Sequence, residues 1–533
     1  MGSSVIRNAI GMKCLPYDAS LLFNETAEFD EIKWPINADG FRDIILSSLK
    51  DFLVLATEAE TEMHRSALLM SLLSANQIWA YIEKAICVQH ERDNGYIYLS
   101  SSPIISFLRE EEKLPDTVGA LPKQISSPTP PRYPTIRSII NTYKMNNWWM
   151  IPFVGLLPKN EVGSSNSLLV DFNKSQNSRS VYRDTNHKLV KIRENGGASN
   201  DPNLSALVIN QLCELFLSQV ELDDRLKSQL GILVRHQVSP LVNQIVQDLI
   251  DCRNAKNISL NYWAGTAGRY SSRLMSLETM RRGGTVTRFD HAGSLAFLQQ
   301  SELFAALELA TCNKYVMGSK RQSELVKQSG VLDLIAPIRD IEIVDGPGFS
   351  YIDELKLTRS KSPPNRPRVM YLSSFSNSET KGPAHYLSQI IYQDWSVRLI
   401  QQLSKMPVEL VCKPHPDSGF ATPGHPVSRY AKIVNTPFED VINDADIFIF
   451  DCLNSTAFWE AVCTDKKIIC IDVGVVRPTQ NALPILKRRC TFLKASFDDS
   501  NRLQISDFQL RESLLDNTTN SSPNELLSIL TCQ

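Results

Sequence analysis

The feature that most limits the possible folds is an alternation in the last third of the chain. From Arg368 it reads VMYLSS, a helix from about Tyr386 to Met406, VELVCKPH, AKIVN, the short helix PFEDVIND, ADIFIFD, the helix TAFWEAVCTD and KIICID. Strand, loop and helix in regular succession build a parallel sheet with helices on its faces, and these strands make one Rossmann-like domain of five strands. The same order occurs earlier, from Ile258 to Gly330, in ISLNYWAGTAGRYSSRLMSLETMRRGGTVTRFDHAGS and NKYVMGSKRQSELVKQSG, which reads as half of a second such domain.

A chain of 533 residues is too long for one ordinary core, so two packed units are expected. KLTRSKSPPNRPR, Lys356 to Arg368, is rich in proline and cations and lacks apolar periodicity, which makes it the linker. It divides the chain into an N-terminal domain (1–355), the linker (356–368) and a C-terminal domain (369–533). The first third is helical: GFRDIILSSLKDFLVLATEAETEMHRSALLMSLLSANQIWAYIEKAICV carries apolar residues at helical spacing over two long segments, and the pattern resumes from Leu204 to Cys252. ALPKQISSPTPPRYPT, NKSQNSRSVYRDTN and RENGGASNDPN read as surface connections. The expected fold is α/β, with two doubly wound Rossmann-like domains facing a cleft and a helix-rich N-terminal region.

Composition excludes several classes of function. Hydrophobic content of 43% and charged content of 21% are those of a globular protein rather than a disordered or membrane chain. A net charge of −2 argues against a nucleic-acid binder that works through its overall field, although local basic patches remain open. The eleven cysteines form no CxxC pair and no zinc-like spacing, which fits buried thiols in a reducing, cytoplasmic compartment. The start lacks an apolar signal region, and no later stretch approaches the roughly 20 apolar residues of a spanning helix. Peripheral membrane association stays open.

Polar chemistry gathers at the C-terminal ends of two strands of the second domain. Lys413, His415 and Pro416 follow VELV, and Ser455 and Thr456 follow ADIFIFD at the start of a helix. In open α/β sheets that edge holds ligands. Helix-start amides favour phosphate, and Lys413 and His415 supply charge-assisted hydrogen bonds to the same group. Glu460, one turn into the helix, can accept from a ribose hydroxyl. Each has a plainer reading: Ser455 or Thr456 as an N-cap, His415 as a turn residue between prolines, Glu460 as a surface charge. Phe458 and Trp459 read as core.

With HP at 415–416 and ST at 455–456, the second domain resembles the bacterial glycosyltransferases of GT-B architecture that build surface polysaccharides. In the sialyl- and Kdo-transferase families an HP motif and a later Ser-Ser/Thr motif hold the nucleotide, usually CMP; CDP-glycerol polymerases look similar here. The resemblance covers about Arg368 to Asp472. It implies a nucleotide-sugar donor bound by Lys413, His415, Pro416, Ser455, Thr456 and Glu460, a glycan or glycolipid acceptor, and no cofactor. Those sialyltransferases also carry an acidic pair before glycine in the first domain. This chain has instead VDGPG, with Asp345 and Gly346, and FDHAG, with Asp290 and His291.

Such a transferase needs a group facing the donor that deprotonates the acceptor or attacks the sugar. RFDHAGS follows a strand, so Asp290 is a candidate base or nucleophile and His291 a general acid/base; a turn role for Asp290 is the alternative. Gly265 and Gly268 form a strand-to-helix loop that lets backbone approach a ligand, with Arg269 and Arg273 available to acidic groups, or else a packing turn. Asp345 sits in DGPG, also a routine turn sequence. No DxD appears where a metal-dependent sugar transferase of the other major fold needs it, so no metal is required. The expected activity is transfer of a sugar, CMP-Kdo or a related CMP-activated acidic sugar being the first choice of donor, to a capsule, O-antigen or lipopolysaccharide acceptor. A UDP- or dTDP-sugar donor, a CDP-polyol-phosphate transfer, and a non-catalytic nucleotide- or sugar-binding protein are the alternatives.

Overall fold

The computed structural model describes residues 13–19, 31–115, 161–162, 168, 185–197, 200–256, 258–265, 267–290, 293–349, 352, 366–374, 386–415, 426–516 and 522–531. Helices begin where short polar side chains cap them. Asn37 accepts from the Gly40 amide ahead of Ala38–Thr57, Thr61 from His64 ahead of Glu62–Ser71, and Asp223 from Leu226 ahead of Asp224–Asn254. The two long helices expected in the first third are therefore three. Thr61 restarts the helix, and a tight 3-10 turn at Leu72–Ser74 separates Glu62–Ser71 from Ala75–Asn94. A short parallel pair, β1 (Lys13–Pro16) with β2 (Tyr96–Leu99), was not foreseen.

The first sheet contains β3 (Glu161–Val162), β4 (Asn261–Ala264), β5 (Thr285–Phe289), β6 (Lys314–Val316) and β7 (Glu342–Val344), all parallel and in sequential order. Helix Tyr270–Arg281 lies on β4 and β5, and helices of the N-terminal region pack on it in turn. Asp248 on Asp224–Asn254 is buried and accepts from Arg193 Nε and Nη2 at 2.7 and 2.6 Å and from the Tyr270 hydroxyl at 2.6 Å, joining three helices at one carboxylate. The same region also reaches the second domain: the Trp34 amide donates to the Ser500 carbonyl at 3.0 Å, and Asp39 pairs with Arg477 at 2.8 Å.

The second sheet has six parallel strands: β8 (Arg368–Leu372), β9 (Glu409–Lys413), β10 (Lys432–Ile433), β11 (Ile447–Phe450), β12 (Lys467–Asp472) and β13 (Thr491–Lys494). Their order, β10-β9-β8-β11-β12-β13, reverses direction between β8 and β11. The sixth strand escaped the sequence reading because TFLK is a short, half-exposed edge with no apolar run. Most of the expected linker, 356–365, lies outside the described residues. The last helix, Asn524–Thr531, bridges the two domains: Glu525 pairs with Arg488 of the second at 2.5 Å, and the Phe349 amide of the first donates to the Leu530 carbonyl at 2.9 Å. DGPG is the corner that receives it. A Cβ on Gly348, whose φ is +87°, would lie 2.5 Å from the Thr531 carbonyl oxygen.

The two sheets turn their C-terminal edges toward each other. Past β5, the Ser294 hydroxyl donates to Asn454 Oδ1 at 3.1 Å, and Phe297 stacks on Trp459 with centroids 4.6 Å apart. Next to them Leu298 forms an antiparallel bridge with Pro478, flanked by hydrogen bonds from the Gln299 amide to the Arg477 carbonyl (2.8 Å) and from the Thr479 amide to the Phe297 carbonyl (2.7 Å). Among the described residues no helix is long and apolar enough to cross a membrane, and ten cysteines are unpaired and buried.

Candidate functional site

The reversal of strand order at β8 and β11 opens a crevice at the C-terminal edge of the second sheet, the position where doubly wound sheets bind ligands. The turns carrying KPHP and NST follow β9 and β11, which flank β8 on either side. Adjacent strands are about 4.8 Å apart, so the two turns stand about 10 Å from each other on one edge. Lys413, only 8% exposed, ends β9; burial pushes its ammonium below the usual lysine range, and Glu439 acts against that shift. His415 is half-buried just beyond. Pro416 lies outside the described residues.

At the end of β11, Ser455 is extended and its side chain does not cap the helix Thr456–Ala461, so the N-cap reading is not realised there. Thr456 is exposed, and Phe458 and Trp459 are buried in the core as expected. Glu460 is 7% exposed, and its Oε2 has no hydrogen-bond partner among the described residues. Burial first, and the Glu439 charge second, raise its carboxyl to about 7. It is therefore not the surface charge of the plain reading. The Ser373 hydroxyl, at the end of β8 between the two turns, is likewise buried without a partner among the described residues.

Asp451, which the sequence reading passed over, holds this edge together. Its carboxylate is buried and accepts from the hydroxyls of Tyr371 (2.5 Å) and Tyr392 (3.1 Å) and from the Trp395 indole (3.2 Å). Tyr392 in turn accepts the Ser374 amide at 2.5 Å. One carboxylate thus fixes the loops after both β8 and β11. Desolvation raises its pKa to about 6 against these three donors.

Across the cleft, Asp290 ends β5 and is 0% exposed, with its amide donating to the Val316 carbonyl at 2.9 Å. His291 lies outside the described residues. Gly265 is buried and Gly268 exposed in the loop after β4, and Arg269 is exposed at the start of helix Tyr270–Arg281. Arg273 differs from its sequence reading: it is fully buried and donates to the carbonyls of Leu307 (3.1 Å) and Ala306 (2.9 Å), so its guanidinium faces the protein interior. Burial and the neighbouring Arg288 lower its pKa to about 9. The helix is buried all round from Tyr270 to Thr279, so no sequence pattern marked Arg273 as interior. Glu308, in a π-turn at Phe304–Glu308, accepts the Ala267 amide at 2.9 Å and so anchors the glycine loop. Asp345 is exposed at the end of β7, in the corner that receives the last helix.

No protein-family model matches the chain, and no curated protein matches it. Among solved structures, it is similar to a UDP-glucosyltransferase from Polygonum tinctorium, in complex with 3,4-dichloroaniline, at 11% identity and a TM-score of 0.36, over 70% of this chain and 93% of that one. It is also similar to a protein from O. sativa in complex with UDP and deoxynivalenol-3-glucoside, at 9% identity and a TM-score of 0.32, over 72% and 92% of the two chains.

Proposed function

We propose that the chain is a glycosyltransferase whose second domain holds the nucleotide of a sugar donor and whose first domain presents the acceptor. What supports this is that Lys413, His415, the Ser373 and Ser455 hydroxyls and Glu460, whose Oε2 has no hydrogen-bond partner among the described residues, all sit on the segments that follow β8, β9 and β11 at the strand-order reversal, and that Ser294 from a loop of the other sheet bonds Asn454 beside them. Cations and hydroxyls suit a phosphate, and a buried carboxylate oxygen without a donor suits a ribose hydroxyl. In this reading Lys413 and His415 neutralise the departing phosphate, Pro416 shapes their turn, Ser455 and Thr456 donate to it, and Glu460 takes the ribose.

Asp290 is buried, so His291 carries the acid/base role at the acceptor hydroxyl, with Asp290 beside it as the other candidate. Arg269, at the exposed end of the glycine loop, is the cation available to an acidic group of donor or acceptor. The donor of first choice is CMP-Kdo or a related CMP-activated acidic sugar, and the acceptor a bacterial surface glycan, with the work done in the cytoplasm.

Titrating CMP, UDP and dTDP into wild type, His415→Ala and Ser455→Ala tests the site. Binding of one nucleotide should weaken in both variants, and turnover of the matching donor should fall by roughly 10²-fold, the scale of a lost transition-state donor. Wild-type turnover in either variant, or no nucleotide binding at all, overturns the reading. Tight nucleotide binding with no release from any donor and acceptor pair leaves a binding protein.

A further inference from the structure

Beside the seam between the domains lies a second recess of about 530 Å³, within the size range of small-molecule sites. It is an open groove bordered by helix Ala38–Thr57, the segment after β5, the turn at Gln328–Gly330 and the segment after β12. Lys413, His415, Ser455, Thr456 and Glu460 are not part of its lining.

Its chemistry is that of uncommitted amides. The side chains of Gln299, Gln328, Gln480 and Asn481 line it, are exposed, and make no hydrogen bond among the described residues. A carboxamide carries a donor and an acceptor in one plane, which matches a pair of neighbouring hydroxyls. The charges at the recess are one of each sign. Arg42 is already engaged by Asp39 at 2.9 Å and the Gly474 carbonyl at 3.3 Å, and Glu302 has no ion pair among the described residues. A near-neutral field of this kind does not select a polyanion.

We propose that this recess binds a neutral oligosaccharide. The segment Ser294–Glu302 connects it to the nucleotide crevice, touching Asn454 at one end and lining the recess at the other. A glycan held here is therefore positioned to run toward the donor; that use of the site rests on the transferase reading above, whereas the binding itself does not.

The test uses maltotetraose and chitotetraose as probes, followed by saturation-transfer NMR and calorimetry on the full chain, with CMP and UDP titrated in parallel. Wild type should bind at least one tetrasaccharide at millimolar concentration. The double variant Gln480→Ala, Asn481→Ala, both at exposed positions, should bind it about tenfold more weakly with unchanged Tm and nucleotide affinity. Gln299→Ala, on the opposite domain, should weaken it as well. If neither tetrasaccharide binds, or if the double variant keeps wild-type affinity, the inference is overturned regardless of the nucleotides. Saccharide binding that maps to the recess without any nucleotide binding upholds the recess and removes the transferase reading.

Discussion

Glu460 is ionised only at a cost. Its ordinary value lies near 4.5 and its folded value at about 7. Between the two, the folded chain keeps a proton that the unfolded chain has released. Its contribution to stability is thus complete below about pH 4.5 and is lost as pH rises through about 7. Glu460→Gln stays neutral throughout. It should raise Tm over wild type at about pH 8, by an amount equivalent to no more than about 2–3 kcal/mol, and the gain should shrink at about pH 5. Thermal unfolding at the two pH values checks this. If the ionised carboxylate receives a ribose hydroxyl, nucleotide affinity should climb through neutral pH in wild type and stay flat in the variant. Asp451→Asn should cost about 1–3 kcal/mol in denaturant unfolding, because an amide nitrogen would face one of three buried donors, and it should also weaken nucleotide binding by loosening Ser374. Asp451 was hard to find in the sequence. An aspartate after IFIF reads as a turn residue, and its partners Tyr371, Tyr392 and Trp395 read as apolar positions in a strand and a helix. Arg273 misled for the converse reason: a charged side chain beside a loop reads as exposed, and only packing shows that it points inward.

At the scale of elements, the strands expected at VELV, ADIFIFD and KIICID were recovered because each is a compact apolar run followed by a turn, a local pattern. The helix expected from about Tyr386 to Met406 runs Gln389–Ser404, with Ser388 capping it. What could not be read is pairing. The order of the second sheet, the sixth strand, and the partnership of β1 with β2 depend on contacts between residues far apart in sequence, and periodicity carries no information about them. The edge on which KPHP and NST sit was legible, since both follow strands; the reversal that makes it a crevice was not. The docking of the last helix was equally hidden, because DGPG looks like any turn. Gly348→Ala tests it: with φ at +87° and the Thr531 carbonyl in the way, the helix Asn524–Thr531 should lift off the first domain. Hydrogen exchange should then show faster exchange in that helix, with β8 to β12 still protected.

For the whole molecule, the facing edges make ligand binding and stability one measurement. A nucleotide that binds the folded chain alone should stabilise it by about 2.7 kcal/mol at a hundredfold excess over Kd. Comparing thermal shifts with CMP, UDP and dTDP therefore ranks the donors before any sugar is tried, and a shift with none of them would count against the crevice. The N-terminal helical region packs on helix Tyr270–Arg281 of the first domain and also grips the second through Trp34 and Asp39. The return of Asn524–Thr531 closes the circuit from the other end. During synthesis, then, the corner at Gly348 stays bare until residue 531 has left the ribosome, and the first half of the chain must wait, nearly finished, for its closing piece from the second.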